Sequence, residues 1–199
     1  MNPTAPNLAA IDAVAAWAWL AGELGAAATS ARHAFHLLTV ATVNPEGAAD
    51  IRTVVLRHVD LISREIRFHT DIRSPKVQAI RREPRVALHW YDPAGRVQVR
   101  IAARATIHHG DACADAAWAA AAAMSRACYT TDVAPGDRLA AFSDGPAAPA
   151  AGDDAGRRNF AVVACRFDMV DLLALNASGH QRVRLHLAHD PVTWSVLAP

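Results

Sequence analysis

Strand-like segments joined by short turns dominate the middle of the chain, and they limit its fold more than any other feature. Branched and aromatic residues favour strands in the stretches HAFHLLTVATV, SREIRFHT and RVALHWYD. The stretch RVQVRIAARATI alternates, which places Val97, Val99 and Ile101 on one face and polar residues on the other. A series of such strands usually closes into a barrel, because open sheet edges invite aggregation. We therefore predict a mainly β (α+β) fold, an antiparallel barrel with flanking helices.

The other elements are predicted from turns, caps and periodicity. One strand is predicted over residues 50–60, a strand or strand pair in NFAVVACRFDMVDLLAL, and further strands in RVRLHLA and TWSVLAP. Helices are predicted at about 8–25, from Ser74 to before Pro84, at about 110–128 and, as a short element, near Arg138. The Pro-, Gly- and Ala-rich stretch at about 143–158 is expected to be a mobile loop. We interpret residues 1–199 as a single domain.

Charge and cysteine content exclude several classes of function. A net charge of +1 gives no reason to expect nucleic acid or an anionic membrane surface as a partner. Three cysteines without C-x-x-C spacing indicate neither a disulfide framework nor a zinc site, and the histidines show no metal-ligand spacing. Asp12 and Glu23 interrupt the apolar amino-terminal stretch, so we interpret it as an amphipathic helix. We expect a soluble, cytoplasmic protein without a metal ion.

The stretch HTDIRSPKVQAI places cations at a helix start, where the helix dipole is already positive. Ser74 is a good N-cap, and Pro75 fits the first helical position. Arg73 and Lys76 flank this start, although its exposed N–H groups favour anions. Two interpretations stay open: an anion binds here, or both side chains simply reach into water.

The strand segment RTVVLR carries two more cations. With a period of two, Arg52 shares the buried face with Leu56, while Arg57 lies on the opposite face. A buried arginine needs an anionic partner. That partner is either a ligand or an internal carboxylate, Asp50 or Asp60.

Four of these residues together have the chemistry of a phosphate site. Arg52, Thr70, Ser74 and Lys76 offer two cations, two hydroxyls and a helix N-terminus. They come from adjacent strands and one intervening turn. The sequence therefore predicts that they converge.

The motifs in this order resemble the pyridoxamine 5'-phosphate oxidase-like family, whose fold is the FMN-binding split barrel. The family pattern is R-x-V-x-L-K/R, a strand ending in F-Y/H-T, then S-x-K, then a strand with Q-V-R. The corresponding stretches are RTVVLR, FHTDIRSPK and RVQVRIAARA. The stretches WAAAAAMSRACYT and WSVLAP are similar to the family's helix exit and carboxyl-terminal ending. The resemblance covers roughly residues 33–199.

The resemblance implies FMN as cofactor, with its phosphate held by Arg52 and Lys76 and shaped by Ser74. The flavin ring and ribityl chain would lie along the backbone from Val54 to Arg57. In full, the resemblance assigns cofactor contacts to Arg52, Val54, Val55, Leu56, Arg57, His69, Thr70, Ser74, Lys76, Gln98, Ser143 and Arg182. Ser143 would reach the cofactor of the partner subunit. Family members are homodimers with FMN at the subunit interface, so the same is expected here.

The resemblance is less complete for the substrate. It assigns substrate contacts to Arg57, Arg126, Thr130 and His180. The family's tyrosine position is Ala122, an expected tryptophan is Leu172, and an expected arginine is Ser178. His180 and Gln98 also have simpler interpretations, as a turn residue and as a member of a polar pair inside the barrel. These departures leave the cofactor motif largely intact and affect mainly the vitamin B6 substrate.

The sequence therefore predicts an FMN-dependent oxidoreductase that resembles pyridoxamine 5'-phosphate oxidase. A small substrate would pass a hydride to the flavin, with pyridoxamine 5'-phosphate as the leading substrate by resemblance. No side chain is assigned a dedicated acid–base role. Two alternatives stay open: a non-catalytic flavin-binding protein, and a haem-binding or haem-degrading relative of the same barrel.

Overall fold

A ten-stranded antiparallel sheet dominates the computed structural model, which describes residues 6–142 and 154–199. The strands are β1 (Leu37–Val43), β2 (Ala49–Val55), β3 (His58–Asp60), β4 (Glu65–Asp71), β5 (Arg85–Asp92), β6 (Val97–His108), β7 (Phe160–Arg166), β8 (Met169–Ala174), β9 (Gln181–His186) and β10 (Thr193–Leu197). Seven of them pair in the order β10-β9-β8-β6-β5-β1-β2, while β7 pairs with β6 and β4, and β3 with β4. The predicted mainly β split barrel is confirmed.

Four α-helices in the described part of the chain flank the sheet. They are α1 (Ala13–Thr29), α2 (Pro75–Arg82), α3 (Ala112–Ala120) and α4 (Ala123–Ala127). Helix α1 lies about one turn further along the chain than predicted, because the Asp12 carboxylate accepts the Ala15 N–H at 2.8 Å and caps it. None of the described helices has the length and hydrophobicity needed to cross a membrane.

The single strand predicted over residues 50–60 is wrong, because the chain changes partner within it. β2 pairs with β1 as far as Val55. The Leu56 N–H then donates to the His36 carbonyl at 2.8 Å, and the Arg57 N–H donates to the Arg67 carbonyl at 2.9 Å. The chain thereby passes to β3, which pairs with β4. β2 and β4 are neighbours without ladder hydrogen bonds, so a seam opens between them.

The long helix predicted over about 110–128 is also wrong. It is divided into α3 and α4, with Ala122 in an extended conformation between them. The Arg126 guanidinium donates through Nε to the Ala121 carbonyl at 2.9 Å and through Nη2 to the Ala119 carbonyl at 3.4 Å. These bonds satisfy carbonyl groups that a continuous helix would have paired with its own N–H groups.

The predicted short helix near Arg138 is wrong as well, since residues 131–142 contain turns and irregular backbone only. Most of the loop predicted at about 143–158 lies outside the described residues, as does Ser143. The single domain predicted over residues 1–199 stays a prediction.

The core lies inside the curved sheet and beneath α1. Leu20 and Leu24 of α1 are fully buried against it, together with Phe35 and Phe68. Buried Trp90 donates its indole N–H to the Phe35 carbonyl at 2.9 Å, so its polar atom is satisfied. The predicted alternation of β6 is confirmed, since its odd-numbered residues from Val97 to Ala105 are buried. This core fixes the strands that carry the candidate site.

Candidate functional site

The Lys76 ammonium group lies at the start of α2 against two hydroxyl groups. Its Nζ donates to Thr70 Oγ1 at 3.1 Å and to Ser74 Oγ at 3.3 Å, and the two hydroxyl oxygens are 3.1 Å apart. Thr70 and Ser74 are buried, with exposed fractions of 5% and 1%. Within the described ranges, Lys76 has no carboxylate at ion-pair distance. Ser74 is the N-cap residue of α2, but its hydroxyl faces Lys76 instead of capping the helix.

Arg52 belongs to the same cluster from the other side of the seam. Its Nη1 donates to Thr42 Oγ1 at 2.8 Å and to the Val40 carbonyl at 3.3 Å, and its Nη2 pairs with the Asp50 carboxylate. One of the two internal partners considered from the sequence, Asp50, is therefore present. Asp50 pairs with Arg52 alone, so the positive charge of Lys76 is left in excess, without a carboxylate at ion-pair distance among the described residues.

The electrostatics of Lys76 reflect this excess. Burial lowers the pKa of Lys76, and the positive charge of Arg52 lowers it further, while Asp71 and Asp50 act in the opposite direction. A half-buried ammonium group that faces a second cation is stabilised by any anion that binds between them. Of the four residues predicted to converge, Lys76, Thr70 and Ser74 bond one another, and the charge of Arg52 acts on Lys76 from across the seam. Their role in holding a phosphate stays a prediction.

Arg73, the other cation predicted at this helix start, is neutralised within the chain. Its Nε donates to Asp71 Oδ1 at 3.0 Å and its Nη2 to Asp71 Oδ2 at 2.7 Å. The remaining donors bond the carbonyls of Thr131 and Asp132. The interpretation of Arg73 as an uncompensated or freely solvated cation is therefore wrong, because the preceding strand supplies its carboxylate.

A cavity of about 520 Å³ lies where β3, β4, β7 and α3 meet. Its polar lining comes from charged and aromatic nitrogen groups and from one hydroxyl and one thiol: Arg57, His58, Arg67, His69, Ser125 and Cys113. Small apolar residues supply the opposite side, which we call the alanine wall: Ala116, Ala117, Ala120, Ala121 and Ala122. Arg57 and His69, both assigned to the cofactor region, are thereby brought together.

The two arginines of this cavity differ in their partners. Arg67 Nε donates to Glu65 Oε1 at 2.5 Å, so its charge is compensated. The Arg57 guanidinium has no hydrogen-bond or ion-pair partner among the residues that the structure describes. Arg57 is therefore the lining residue best placed to bind an anion.

His69 is neutral at physiological pH. Burial lowers its pKa to about 4, and the charge of Arg57 adds to this effect. Its ring packs edge-on against Phe160, with the ring centroids 4.8 Å apart. A neutral imidazole offers one donor and one acceptor nitrogen, so His69 can orient a ligand without adding charge.

The low pKa of His69 predicts a loss of stability in acid. The unfolded side chain titrates near 6.5 and the folded one near 4, so between these values only the unfolded chain binds the proton. The free energy of unfolding should therefore fall as the pH drops from 6.5 to 4, by at most about 3 kcal/mol from this group. Urea unfolding at several pH values should give a flatter profile for His69→Gln than for the wild-type protein. Parallel pH profiles for the two proteins would contradict the low pKa given to His69.

The other predicted site residues lie elsewhere within the described part of the chain. Arg126 bonds the end of α3 and lies over the Trp118 ring at 5.5 Å, and the Thr130 hydroxyl donates to the Ala127 carbonyl at 2.9 Å. Arg182 Nη2 pairs with Asp171 Oδ2 at 2.9 Å. Gln98 pairs with Leu173 across the sheet, and His180 is exposed in the turn before β9. None of these five lines the cavity.

Some site residues were not found by sequence reasoning. The contact of Thr42 with Arg52 depends on the register between β1 and β2, which the sequence does not specify. The role of Asp71 is known only from its hydrogen bonds to Arg73 in the structure. The alanine wall was interpreted as part of a structural helix, because alanine carries no chemical signal. In the described ranges, no group of His, Cys, Asp and Glu side chains is arranged to hold a metal ion.

Comparison with known proteins agrees with this geometry. Residues 15–109 match the family model for the FMN-binding domain of pyridoxamine 5'-phosphate oxidase. This segment belongs to that family. It contains Arg52, Thr70, Ser74 and Lys76, as well as Arg57 and His69 of the cavity. A comparison with curated protein sequences gives no significant match.

Solved structures show the same fold over nearly the whole chain. A pyridoxamine 5'-phosphate oxidase-related, FMN binding protein from Nostoc punctiforme PCC 73102 is 24% identical, with a TM-score of 0.72, over 92% of this chain and 97% of that one. PhzG from Burkholderia lata 383, in complex with tetrahydrophenazine-1-carboxylic acid, is 16% identical, with a TM-score of 0.69, over 92% of each chain. A protein related to general stress protein 26 from Clostridium acetobutylicum is 11% identical, with a TM-score of 0.54, over 82% and 90%.

Proposed function

We propose that the protein is an FMN-dependent oxidoreductase of the pyridoxamine 5'-phosphate oxidase-like family. The observation that carries this proposal is the cluster of Lys76, Arg52, Thr70 and Ser74. It combines two cations with two buried hydroxyls, and the carboxylate of Asp50 pairs with Arg52 and not with Lys76. Arg-, Lys- and hydroxyl-bearing side chains at a helix start are typical phosphate ligands. The cluster therefore fits the phosphate of FMN.

The path from this cluster to the cavity suits the rest of the cofactor. Five residue steps separate Arg52 from Arg57, which is about 16 Å for extended backbone. Val54, Val55 and Leu56 form this path beside the seam, with Leu56 buried in the core. A ribityl chain would lie along the path, and the flavin ring would reach the neighbourhood of Arg57 and His69.

The bound flavin would supply the capacity to accept or donate a hydride. The chain's own residues would bind and orient: Lys76 and Arg52 would hold the phosphate, and the cavity would position a small substrate. His69 can offer a hydrogen bond there without a charge. No described side chain is needed as a dedicated acid or base for hydride transfer.

Pyridoxamine 5'-phosphate is the leading substrate by family membership, although Ala122 removes one expected contact. Arg126 and Thr130 are engaged with backbone carbonyls, so they also contribute less than expected to a substrate phosphate site. Two other functions remain as outcomes of the test: a flavin-binding protein without turnover, and a haem-binding relative.

The first test is an absorption spectrum of the purified protein, followed by release and identification of the chromophore. Two flavin bands with FMN released would support the proposal. A Soret band would replace it with haem chemistry. A colourless protein that takes up no added FMN would overturn it. Peroxide release on addition of pyridoxamine 5'-phosphate would then separate an oxidase from a binding protein.

We further propose a homodimer with FMN at the subunit interface, in the cytoplasm. Family members are commonly dimers. The outer face of the sheet exposes large apolar side chains on several strands: Leu37, Val43, Ile51, Tyr91 and Met169. A polar row crosses the same face, where Asp171 pairs with Arg100, Arg182 and Arg184. Apolar surface with paired charges is suited to a subunit interface.

The three free cysteines accord with a reducing compartment, which supports the cytoplasmic location proposed here.

Tyr91→Glu should dissociate this dimer. Tyr91 is 47% exposed on β5, in the middle of the apolar face, and a carboxylate there would be desolvated by the partner. Light scattering should give twice the chain mass of 21.2 kDa for the wild-type protein and the single mass for the variant. Ile62→Glu is the control, because Ile62 is 96% exposed in the turn between β3 and β4. A dimeric Tyr91→Glu protein would place the interface elsewhere.

A further inference from the structure

The cavity beside the proposed flavin site has an unusual balance of charge. Arg67 is compensated by Glu65, and His69 is neutral because burial keeps its pKa near 4. Arg57 is the arginine of the lining without a described partner. One guanidinium that lacks a carboxylate matches a ligand with a single negative charge.

A phosphate monoester is a poor match for this arrangement. Its dianion needs several donors, and the expected set was Arg57, Arg126, Thr130 and a tyrosine at position 122. The Arg126 guanidinium is committed to the carbonyls of Ala119 and Ala121, and the Thr130 hydroxyl to that of Ala127. Position 122 is alanine, so only Arg57 remains from the expected set. A carboxylate, by contrast, is satisfied by one guanidinium with two parallel hydrogen bonds.

Most of the remaining lining is made of small apolar side chains, and His58, Cys113 and Ser125 add polar groups to it. The alanine wall and Val162 face the cavity with methyl groups, which a flat ring system can contact closely. The volume of about 520 Å³ lies within the range of sites for ligands larger than a single ring. A tyrosine at position 122 would occupy part of this space.

We propose that the cavity binds an apolar, ring-bearing monocarboxylate, with the carboxylate on Arg57 and the ring against the alanine wall. This assignment rests on the proposed function, because it takes the cavity as the substrate side of the flavin site. Position 122 then determines specificity: alanine admits the larger ring and removes a phosphate donor.

Three naphthalene compounds test the assignment, since they share one ring system and differ in charge. The probes are 1-naphthoate, 1-naphthyl phosphate and 1-naphthalenemethanol, titrated calorimetrically into the protein as purified, with its flavin content measured by absorption. We expect 1-naphthoate to bind at least tenfold more tightly than either of the others. Equal or tighter binding of 1-naphthyl phosphate would overturn the assignment, and so would the absence of 1-naphthoate binding at millimolar concentration.

Two variants locate the binding in the cavity. Arg57→Gln should weaken 1-naphthoate binding about tenfold or more, because a charge-assisted hydrogen bond is lost, and should leave 1-naphthalenemethanol binding nearly unchanged. Ala122→Tyr should reduce the preference for 1-naphthoate over 1-naphthyl phosphate. Arg85→Gln is the control, since Arg85 is exposed and pairs with Glu83. An unchanged 1-naphthoate affinity in Arg57→Gln would overturn the assignment. If that variant does not fold, the comparison of probes on the wild-type protein decides alone.

The same titrations on flavin-free protein separate this inference from the proposed function. Failure to take up FMN would overturn the flavin assignment, whatever the naphthalene compounds do. Selective 1-naphthoate binding in such a protein would still support the monocarboxylate cavity. A flavin-containing protein without that selectivity would overturn the cavity assignment alone.

Discussion

Lys76→Met is expected to lower the affinity for FMN about 100-fold, which corresponds to about 2.7 kcal/mol. Methionine keeps the apolar stem and removes the ammonium group that donates to Thr70 and Ser74. The loss follows from charge-assisted hydrogen bonds to the phosphate in a half-buried site, each worth about 1.5–3 kcal/mol. Quenching of flavin fluorescence during titration of the apoprotein measures the dissociation constant.

Riboflavin provides the matched ligand for this experiment, because it lacks the phosphate. Its affinity should be nearly the same for Lys76→Met and the wild-type protein. Arg81→Met is the matched variant, since Arg81 lies exposed in the last turn of the same helix. The flavin-free Lys76→Met protein should be no less stable than the wild type, because burial and Arg52 already disfavour the charge of Lys76. Equal losses for FMN and riboflavin would show that Lys76 does not contact the phosphate.

Asp71→Ala is expected to lower the free energy of unfolding by about 1.5–3 kcal/mol. The Asp71 carboxylate is 5% exposed and accepts the Arg73 N–H at 2.8 Å as well as two bonds from its guanidinium. Removing it deletes three hydrogen bonds at a buried carboxylate and leaves the Arg73 guanidinium with only the weaker attraction of Asp132 and Asp137, which makes the loss larger than that of a surface ion pair. Arg73 also ties α2 to Thr131 and Asp132, so the connection after α4 should loosen. Urea unfolding followed by circular dichroism measures the change.

The chain contains a matched pair for this variant. Glu83 and Arg85 have the same spacing and the same two-bond geometry as Asp71 and Arg73, but they lie at the surface. Glu83→Ala should therefore cause a much smaller loss, because exposed ion pairs are screened by water and salt. Similar losses for the two alanine variants would contradict the role given to burial.

Local sequence patterns predicted those features that depend on neighbouring residues. The alternation of β6 and the Ser74–Pro75 start of α2 were predicted from periodicity and cap chemistry. Both elements are present in the structure, although the Ser74 hydroxyl does not cap the helix. The convergence of Arg52 with Lys76 followed from strand order, because adjacent strands and a short turn bring their ends together. These features needed no knowledge of distant partners.

Features that depend on three-dimensional geometry, and not on a repeating local pattern, were missed. The end of β2 is set by competition between the carbonyls of His36 and Arg67, which no local pattern encodes. The break after α3 depends on the Arg126 side chain, whose bonds replace those of a continuous helix. The pairing of Arg73 with Asp71 depends on a turn geometry that positions both side chains. Alanine-rich sequence gave no signal for a cavity wall, because methyl groups become informative only when their neighbours are known.

If FMN binds as proposed, the seam between β2 and β4 would link the stability of the protein to the supply of that cofactor. Arg52 stands on one side of the seam, and Thr70 and Lys76 stand on the other, without backbone bonds between the two strands. A phosphate bound by residues on both sides would hold the two strands together. Because a ligand that binds only the folded state stabilises it in proportion to the logarithm of its concentration, flavin-starved cells would carry a looser and more protease-sensitive form. The steady-state amount of the protein would then report on riboflavin status.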